Sequence, residues 1–534
     1  MTSQGRSLPL LDTMPPRAWL WALALGLLSA AGFEPLGLWP IALVAAGLFV
    51  LLIARSESGR QAVWLGWLFG WAQFSFGNSW IATAFTYQAQ MPAVLGWLAV
   101  PLLAIYLAVY PALAALAAHM IARHGSRWAF ALVFAAAWVV TEWLRSWVFT
   151  GYAWNPFAMV LLGPFDRPGL AALSPLMGTY ALSGVAMLLS AGLALLASER
   201  RWRVALLVAA LIAAGMYWPA PVQREGELSV TIVQPDIQQE TLNDPRAFET
   251  NFRKLARHSL PLDTQETRPR IVLWPESGMV DYLREGYPQH YYDRTTALGS
   301  PIFARRRLGQ SVGEGSVLLT GAVDLEIGED KDGVVRALGA RNAVTAVSAD
   351  GELLGGYAKA HLVPYGEYLP LRDWLEPLGV SRLVAGNIDF WPGPGPQTLD
   401  LGEYGKAGMQ ICYEIVFSGQ VTDRANRPDY IFNPSNDGWF GAFGPPQHLA
   451  QARMRAIEEG LPVLRATTTG ISAVIDARGV VRQHLGQHVE GRIDAIVPPA
   501  APPTLFAQLG NLLALIWATI FLLTGVVAMR RAAR

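Results

Sequence analysis

Eight long apolar segments constrain this chain more than any other feature. Seven precede a stretch of ordinary composition and one follows it. They lie near residues 17–33, 37–54, 62–83, 92–121, 128–149, 170–198, 203–219 and 505–529. Each reads as a helix able to span the ~30 Å apolar core of a bilayer. Composition agrees, with 52% hydrophobic and only 15% charged residues, which is too apolar for an ordinary soluble protein. The formal net charge is zero, so no basic face points to nucleic acid. The first segment does not read as a cleaved signal peptide, because no small-residue cleavage site leads into a soluble stretch.

The loops between these segments set an orientation. Arg6 and Arg17 precede the first; Arg55 and Arg60 follow the second; Arg123 and Arg127 follow the fourth. Arg200, Arg201 and Arg203 follow the sixth, and Arg530, Arg531 and Arg534 follow the last. The alternate loops 34–36 and 84–91 carry no Lys or Arg, and 150–169 carries only Arg167. Basic loops stay in the cytoplasm. Both termini are therefore expected there. The expected organisation is a seven-helix membrane domain over 1–220, an extracytoplasmic domain over 221–504, and a final helix with a cytoplasmic tail over 505–534. The chain is expected to be a multi-pass protein of a bacterial inner membrane, with its soluble domain in the periplasm.

The soluble stretch alternates strand and helix signals. Strands are expected at 228–233, 270–274, 316–321 and 429–432. Hairpins are expected around Asp350-Gly351, joining 343–348 to 353–357, and around 477–479, joining 472–475 to 480–483. Helices are expected over 282–298, over 446–460 and after residue 412. Buried strands with intervening helices argue an α/β layered domain. The eight histidines are scattered and form no metal-ligand spacing, so neither metal nor other cofactor is expected.

Cys412 is the sole cysteine of 534 residues. It cannot form an internal disulfide, and an idle thiol on an oxidising face is a liability. It follows an apolar run, Ala407–Ile411, and a carboxylate, Glu414, comes two residues later. A thiol at a strand end is placed for nucleophilic chemistry. Such chemistry needs a base and a donor to the oxyanion. Two further strand ends offer them: Trp274-Pro275-Glu276-Ser277 supplies Glu276, and the run from Lys359 to Glu367 supplies Lys359, His361 and Glu367. Each alone has an ordinary reading as a cap, a solvated charge or a structural hydrogen-bonder. Glu142 and Arg145 lie three apart in the fifth apolar segment and share a helix face, as an ion pair or as functional groups.

Together these stretches resemble the nitrilase, or carbon–nitrogen hydrolase, superfamily, whose triad runs Glu, Lys, Cys. The matching positions are Glu276, Lys359 and Cys412. The wider chain resembles the membrane branch of that superfamily, the apolipoprotein N-acyltransferases. That resemblance extends through Lys359-Ala360-His361-Leu362-Val363-Pro364-Tyr365-Gly366-Glu367, Cys412-Tyr413-Glu414 and 433–441. It also takes in His448, Gln451, Arg453, Arg455 and Arg465-Ala466-Thr467. It departs at Leu242-Asn243, where a Lys-Trp pair is common, at Thr468, where Asn is common, and at Leu461, where Arg is common.

The resemblance implies an α-β-β-α sandwich for the soluble domain. It implies transfer of an acyl chain from a phospholipid, the sn-1 chain of phosphatidylethanolamine, through a Cys412 thioester. The acceptor would be the α-amino group of a diacylglyceryl-cysteine at an apolipoprotein N-terminus. Glu276 would be the base and Lys359 the oxyanion donor. Glu367 and Glu414 would orient the site, and Tyr413 would shape the thioester pocket. Trp80, Tyr152, Trp154 and Trp439 are candidate lipid contacts. A monomer is expected. Two other readings remain: a membrane-bound amidase or nitrilase-type hydrolase with the same triad, and a transporter carrying an inactive nitrilase-like domain.

Overall fold

The structure, a computed structural model, describes residues 14–87, 92–221, 225–261, 268–375, 377 and 389–532. Arg6, Arg534 and residues 88–91 of the 84–91 loop lie outside the described residues. The chain forms two compact units: Met1–Ala82 with Val94–Ala220 and Pro503–Arg534, and Thr83–Ala93 with Pro221–Pro502.

In the first unit helix overlaps each of the eight apolar segments: Ala18–Ala30, Trp39–Ala54, Gly59–Gly77, Val94–Leu107 with Val109–Ala122, Arg127–Arg145, Ser174–Ser198, Trp202–Met216 and Leu512–Ala532. Among the described residues, four stretches are long and apolar enough to cross a membrane: Val94–Ala122, Arg127–Arg145, Leu170–Ser198 and Leu512–Arg531. Ala18–Ala30, Trp39–Ala54 and Trp202–Met216 are shorter apolar helices. The segment expected at 505–529 breaks into a short helix, Leu505–Leu509, and the long one, with Gly510 at φ 56° between them. Small residues let these helices approach closely. A Cβ on Gly26 would collide with the Phe69 backbone, and one on Gly47 with the Ser190 backbone.

The irregular segment after Arg127–Arg145 is buried, so its backbone needs partners. Arg145 Nη1 donates to the Trp154 carbonyl at 2.8 Å, and Glu142 Oε1 accepts from the Phe157 amide at 2.8 Å. The shared helix face of these two charges thus serves the 154–157 backbone.

Among the described residues of the second unit, twelve strands form two six-stranded sheets. They are β1 (Ser229–Gln234), β2 (Arg270–Leu273), β3 (Ser316–Glu329), β4 (Val335–Ser348), β5 (Leu353–Ala358), β6 (Thr398–Asp400), β7 (Lys406–Met409), β8 (Tyr430–Ser435), β9 (Val463–Thr467), β10 (Ser472–Ile475), β11 (Val481–Leu485) and β12 (Gly491–Ile496). The orders are β12-β1-β2-β3-β4-β5 and β11-β10-β9-β8-β7-β6. Parallel pairing joins β1-β2-β3 in one sheet and β7-β8-β9 in the other.

Strand period fixes the layers. Val230, Ile232, Ile271, Leu273, Val317 and Leu319 face a core shared with Met409, Phe432, Leu464 and Val474 of the other sheet. The intervening Val233, Val272 and Leu318 turn to the opposite face. There they meet Leu255 of helix Phe248–Arg257 and Leu308 of helix Pro301–Val312. Helix Gly444–Glu459 packs against β9 and the 412–416 turn on the other sheet. The result is an α-β-β-α sandwich in which each buried Val, Ile or Leu contributes about 1.5–3 kcal/mol.

Three expectations need correction. Helix 282–298 is shorter, Gln289–Thr295, because Pro288 fixes its start. The strand expected at 316–321 runs on to Glu329 in a long hairpin with β4, turned at Asp330, whose Oδ1 accepts from the Asp332 and Val334 amides. The outer half of this hairpin is partly exposed, and its Leu325 and Ala337 are buried with Tyr282, Tyr287 and Tyr291 packed against them. β8 continues through Pro434, past Phe432, the last residue it pairs with β7. A missing amide there breaks no ladder bond on the β7 side.

Candidate active site

Three strand ends converge. Glu276 follows β2 and a proline; Gly321 of β3 lies so close that a Cβ there would overlap the Glu276 backbone. Lys359 directly follows β5, and its amide donates to the Asn342 carbonyl at 2.8 Å. Cys412 lies three residues beyond β7 and opens a 3-10 turn, Cys412–Val416, where a full helix was expected. Its φ is 51°, in the left-handed region that a non-glycine residue occupies only when its surroundings enforce it.

Lys359 is 1% exposed and sits between two carboxylates, with Nζ 3.0 Å from Glu367 Oε2 and 3.4 Å from Glu276 Oε1. Asn342 Nδ2 donates to both Glu276 Oε1 and Glu367 Oε1, each at 2.8 Å. The Asn436 amide donates to Glu276 Oε2, and the Val363 amide to Glu367 Oε2, again at 2.8 Å. Burial opposes the Lys359 charge, but Glu367 and Glu276 outweigh it and raise its pKa above the ordinary lysine value.

The thiol is different. Burial and the Glu276 charge push Cys412 well above the usual thiol range, against the pull of Lys359 and Arg465. Burial thus favours the protonated thiol, and a base must act as it reacts.

Glu414 ties the turn together. Its Oε1 accepts from Tyr357 Oη at 2.7 Å and from the Ala360 and His361 amides at 2.8 and 3.1 Å. Its Oε2 accepts from the Ile411 amide at 2.8 Å. Burial pushes this carboxyl up to about 7, while these donors favour its charged form. Tyr413 is buried and meets the Phe417 ring edge-on at 5.1 Å. His361 stacks on Phe417 at 3.6 Å.

A second buried cluster lies beside the thiol. His448 Nδ1 is 3.0 Å from Asp437 Oδ1 and 3.0 Å from an Arg465 Nη2, which also donates to Asp437 Oδ2 at 2.6 Å. His448 Nε2 is 3.0 Å from the Cys412 carbonyl. Burial opposes the Asp437 charge, but Arg465 and His448 hold its carboxyl below the usual aspartate range. Burial and Arg465 likewise lower the His448 pKa.

Donor atoms of Cys412, Asp437 and His448 lie within 4.8 Å of one another, a grouping that scattered histidines in the sequence do not suggest. The set does not suit a cation, because both imidazole nitrogens meet protein partners and a guanidinium occupies the flank.

The remaining candidates are dispersed. Trp154 is fully buried, 4.6 Å from the partly buried Trp80 ring, and so lies inside the helical unit and away from its surface. Tyr152 donates to Asn78 Oδ1 at 2.8 Å. Trp439, in the second unit, meets Tyr87 edge-on at 5.7 Å. The departures also find places. Leu242 is buried in the core against helix Phe248–Arg257. Thr468 Oγ1 donates to Asn436 Oδ1 at 2.8 Å, one step from Glu276. Asn342 was missed because an asparagine inside a strand carries no motif of its own.

An α-β-β-α sandwich with these strand-end side chains defines a carbon–nitrogen hydrolase domain. Residues 229–501 match the family profile described as carbon-nitrogen hydrolase, and residues 25–193 that of the apolipoprotein N-acyltransferase N-terminal domain. Among relatives, an apolipoprotein N-acyltransferase of Rhodopseudomonas palustris is 33% identical over 93% of this chain and 93% of its own. That of Bradyrhizobium diazoefficiens is 34% identical over 96% of both, and that of Caulobacter vibrioides 35% over 95% of this chain and 94% of its own. The chain belongs to the apolipoprotein N-acyltransferase family.

Proposed function

We propose that this membrane acyltransferase carries its acyl group as a thioester on Cys412. Glu276 takes the thiol proton as sulfur attacks the ester carbonyl of a phospholipid, the sn-1 chain of phosphatidylethanolamine. The carbon–sulfur bond forms, the ester carbon–oxygen bond breaks, and Glu276 returns the proton to the leaving lysophospholipid oxygen. Lys359 donates to the oxyanion of each tetrahedral intermediate. The α-amine of a diacylglyceryl-cysteine then attacks the thioester. A carbon–nitrogen bond replaces the carbon–sulfur bond, and the amine proton passes by Glu276 back to sulfur. Glu367 holds Lys359, Glu414 fixes the loops around the thiol, and Tyr413 lines the acyl pocket.

The observation that carries this reading is a buried thiol in the field of an ammonium that is clamped by two carboxylates. Cys412 is 5% exposed, which favours a thioester sheltered from water. His448 is the competing base. Both of its nitrogens already have partners, one of them the carbonyl of Cys412 itself, so Glu276 is preferred.

The test is a product assay of the purified full chain with phosphatidylethanolamine and a diacylated lipopeptide. N-acylated lipopeptide is expected, and it should vanish in Cys412→Ala. Free fatty acid as the sole product would establish a hydrolase instead. We further propose that the protein works as a monomer in a bacterial inner membrane, with both termini cytoplasmic and residues 221–504 periplasmic. The arginine bias of alternate loops supports the orientation. A reporter inserted near residue 350 should respond as periplasmic; a cytoplasmic response would reverse the orientation.

A further inference from the structure

The left-handed backbone at Cys412 needs a restraint, because a non-glycine residue there costs about 1–3 kcal/mol. Its flanks are tied. The Gln410 amide donates to the Phe432 carbonyl at 2.9 Å, and the Ile411 amide to Glu414. The carbonyl of Cys412 itself is held chiefly by His448 Nε2 at 3.0 Å, with Asn433 Nδ2 more distant at 3.5 Å. A carbonyl oxygen only accepts, so Nε2 carries the hydrogen. Nδ1 faces both an Arg465 Nη2 and Asp437 Oδ1, each at 3.0 Å, and Arg465 also binds Asp437 Oδ2. His448, Asp437 and Arg465 are each at most 2% exposed. Three linked buried polar side chains, from β9, the turn after β8 and helix Gly444–Glu459, thus reach one backbone oxygen through His448.

We propose that His448 is a positioning residue for the nucleophile: it holds the Cys412 carbonyl so that the strained turn presents Sγ, and Asp437 and Arg465 fix the ring. His448 takes no proton from the thiol. The inference rests on Cys412 being the reactive group, but not on which acyl donor it uses.

The test uses the full-length protein in micelles, with alkylation of Cys412 by iodoacetamide across pH and with thermal unfolding. Glutamine keeps an N–H near the Nε2 position. His448→Leu should slow alkylation ~10-fold or more, and His448→Gln should recover most of the loss. The midpoint of the pH profile should not move in His448→Gln, because Glu276, Lys359, Asp437 and Arg465, the charges that face the thiol, are untouched. A Gln variant that folds yet is as slow as Leu, or whose midpoint shifts, would overturn the proposal by making His448 a proton carrier.

Stability supplies a second arm that survives poor folding of His448→Leu. Glycine accepts a positive φ without a tie. His448→Gln should therefore lower the melting temperature less in a Cys412→Gly background than in the native one. Equal losses would reduce His448 to general packing and contradict the inference. Because alkylation reads the thiol directly, failure of the acyl-carrier reading alone would leave these results intact.

Discussion

Two buried charge clusters border Cys412, and they are built on opposite plans. Around Lys359 the carboxylates outnumber the cations: Glu276 and Glu367 share one ammonium and one bridging amide, Asn342. Around His448 one acid meets one guanidinium, and the free valence of the ring goes to a backbone carbonyl. A cluster with surplus carboxylate has somewhere to put a proton. A balanced cluster has none, but it can hold geometry. The difference divides chemistry and presentation of the thiol between two sets of residues, the second fully buried and the first buried but for a partly exposed Glu276, and both are costly to disturb.

The largest effect that would break this division lies in the first cluster. Glu276→Gln and Lys359→Met should each lower acyl transfer by ~10²–10⁴-fold. Their effects on the thiol should be opposite in sign. Glu276 raises the Cys412 pKa and Lys359 lowers it, so Gln should move iodoacetamide labelling to lower pH and Met to higher pH. Parallel shifts would mean that the two groups do not act on the thiol separately. A smaller effect is expected at the bridge. Asn342→Leu removes one donor from each of two buried carboxylates and should cost ~10-fold in transfer, with the labelling midpoint displaced. An unchanged midpoint would remove Asn342 from the proton-handling side.

Much of this organisation was legible in the sequence, for identifiable reasons. Apolar length marked each helix position of the first unit, and period-2 patterning marked β1, β2 and the β4–β5 hairpin. The family resemblance named Glu276, Lys359 and Cys412 before their neighbourhood was known. What stayed hidden depends on register between distant segments. Asn342 joins Glu276 to Glu367 only because β4 lies between β3 and β5. His448 reaches the Cys412 carbonyl only because helix Gly444–Glu459 packs on the 412–416 turn. The extension of β3 and β4 into a long hairpin goes beyond the strand expected at 316–321, although Val323, Leu325 and Ile327 keep a period-2 apolar pattern through it. Trp154 read as an interfacial aromatic because loop aromatics usually are; burial of the irregular segment it belongs to left no local trace.

The central claim, that Cys412 carries the acyl group, is tested most directly by intact-protein mass spectrometry after incubation with phospholipid vesicles alone. The expected spectrum shows one added acyl chain, released by hydroxylamine and absent in Cys412→Ala. Wild-type protein that makes N-acylated product yet never shows this adduct, even when the amine acceptor is withheld, would contradict the account.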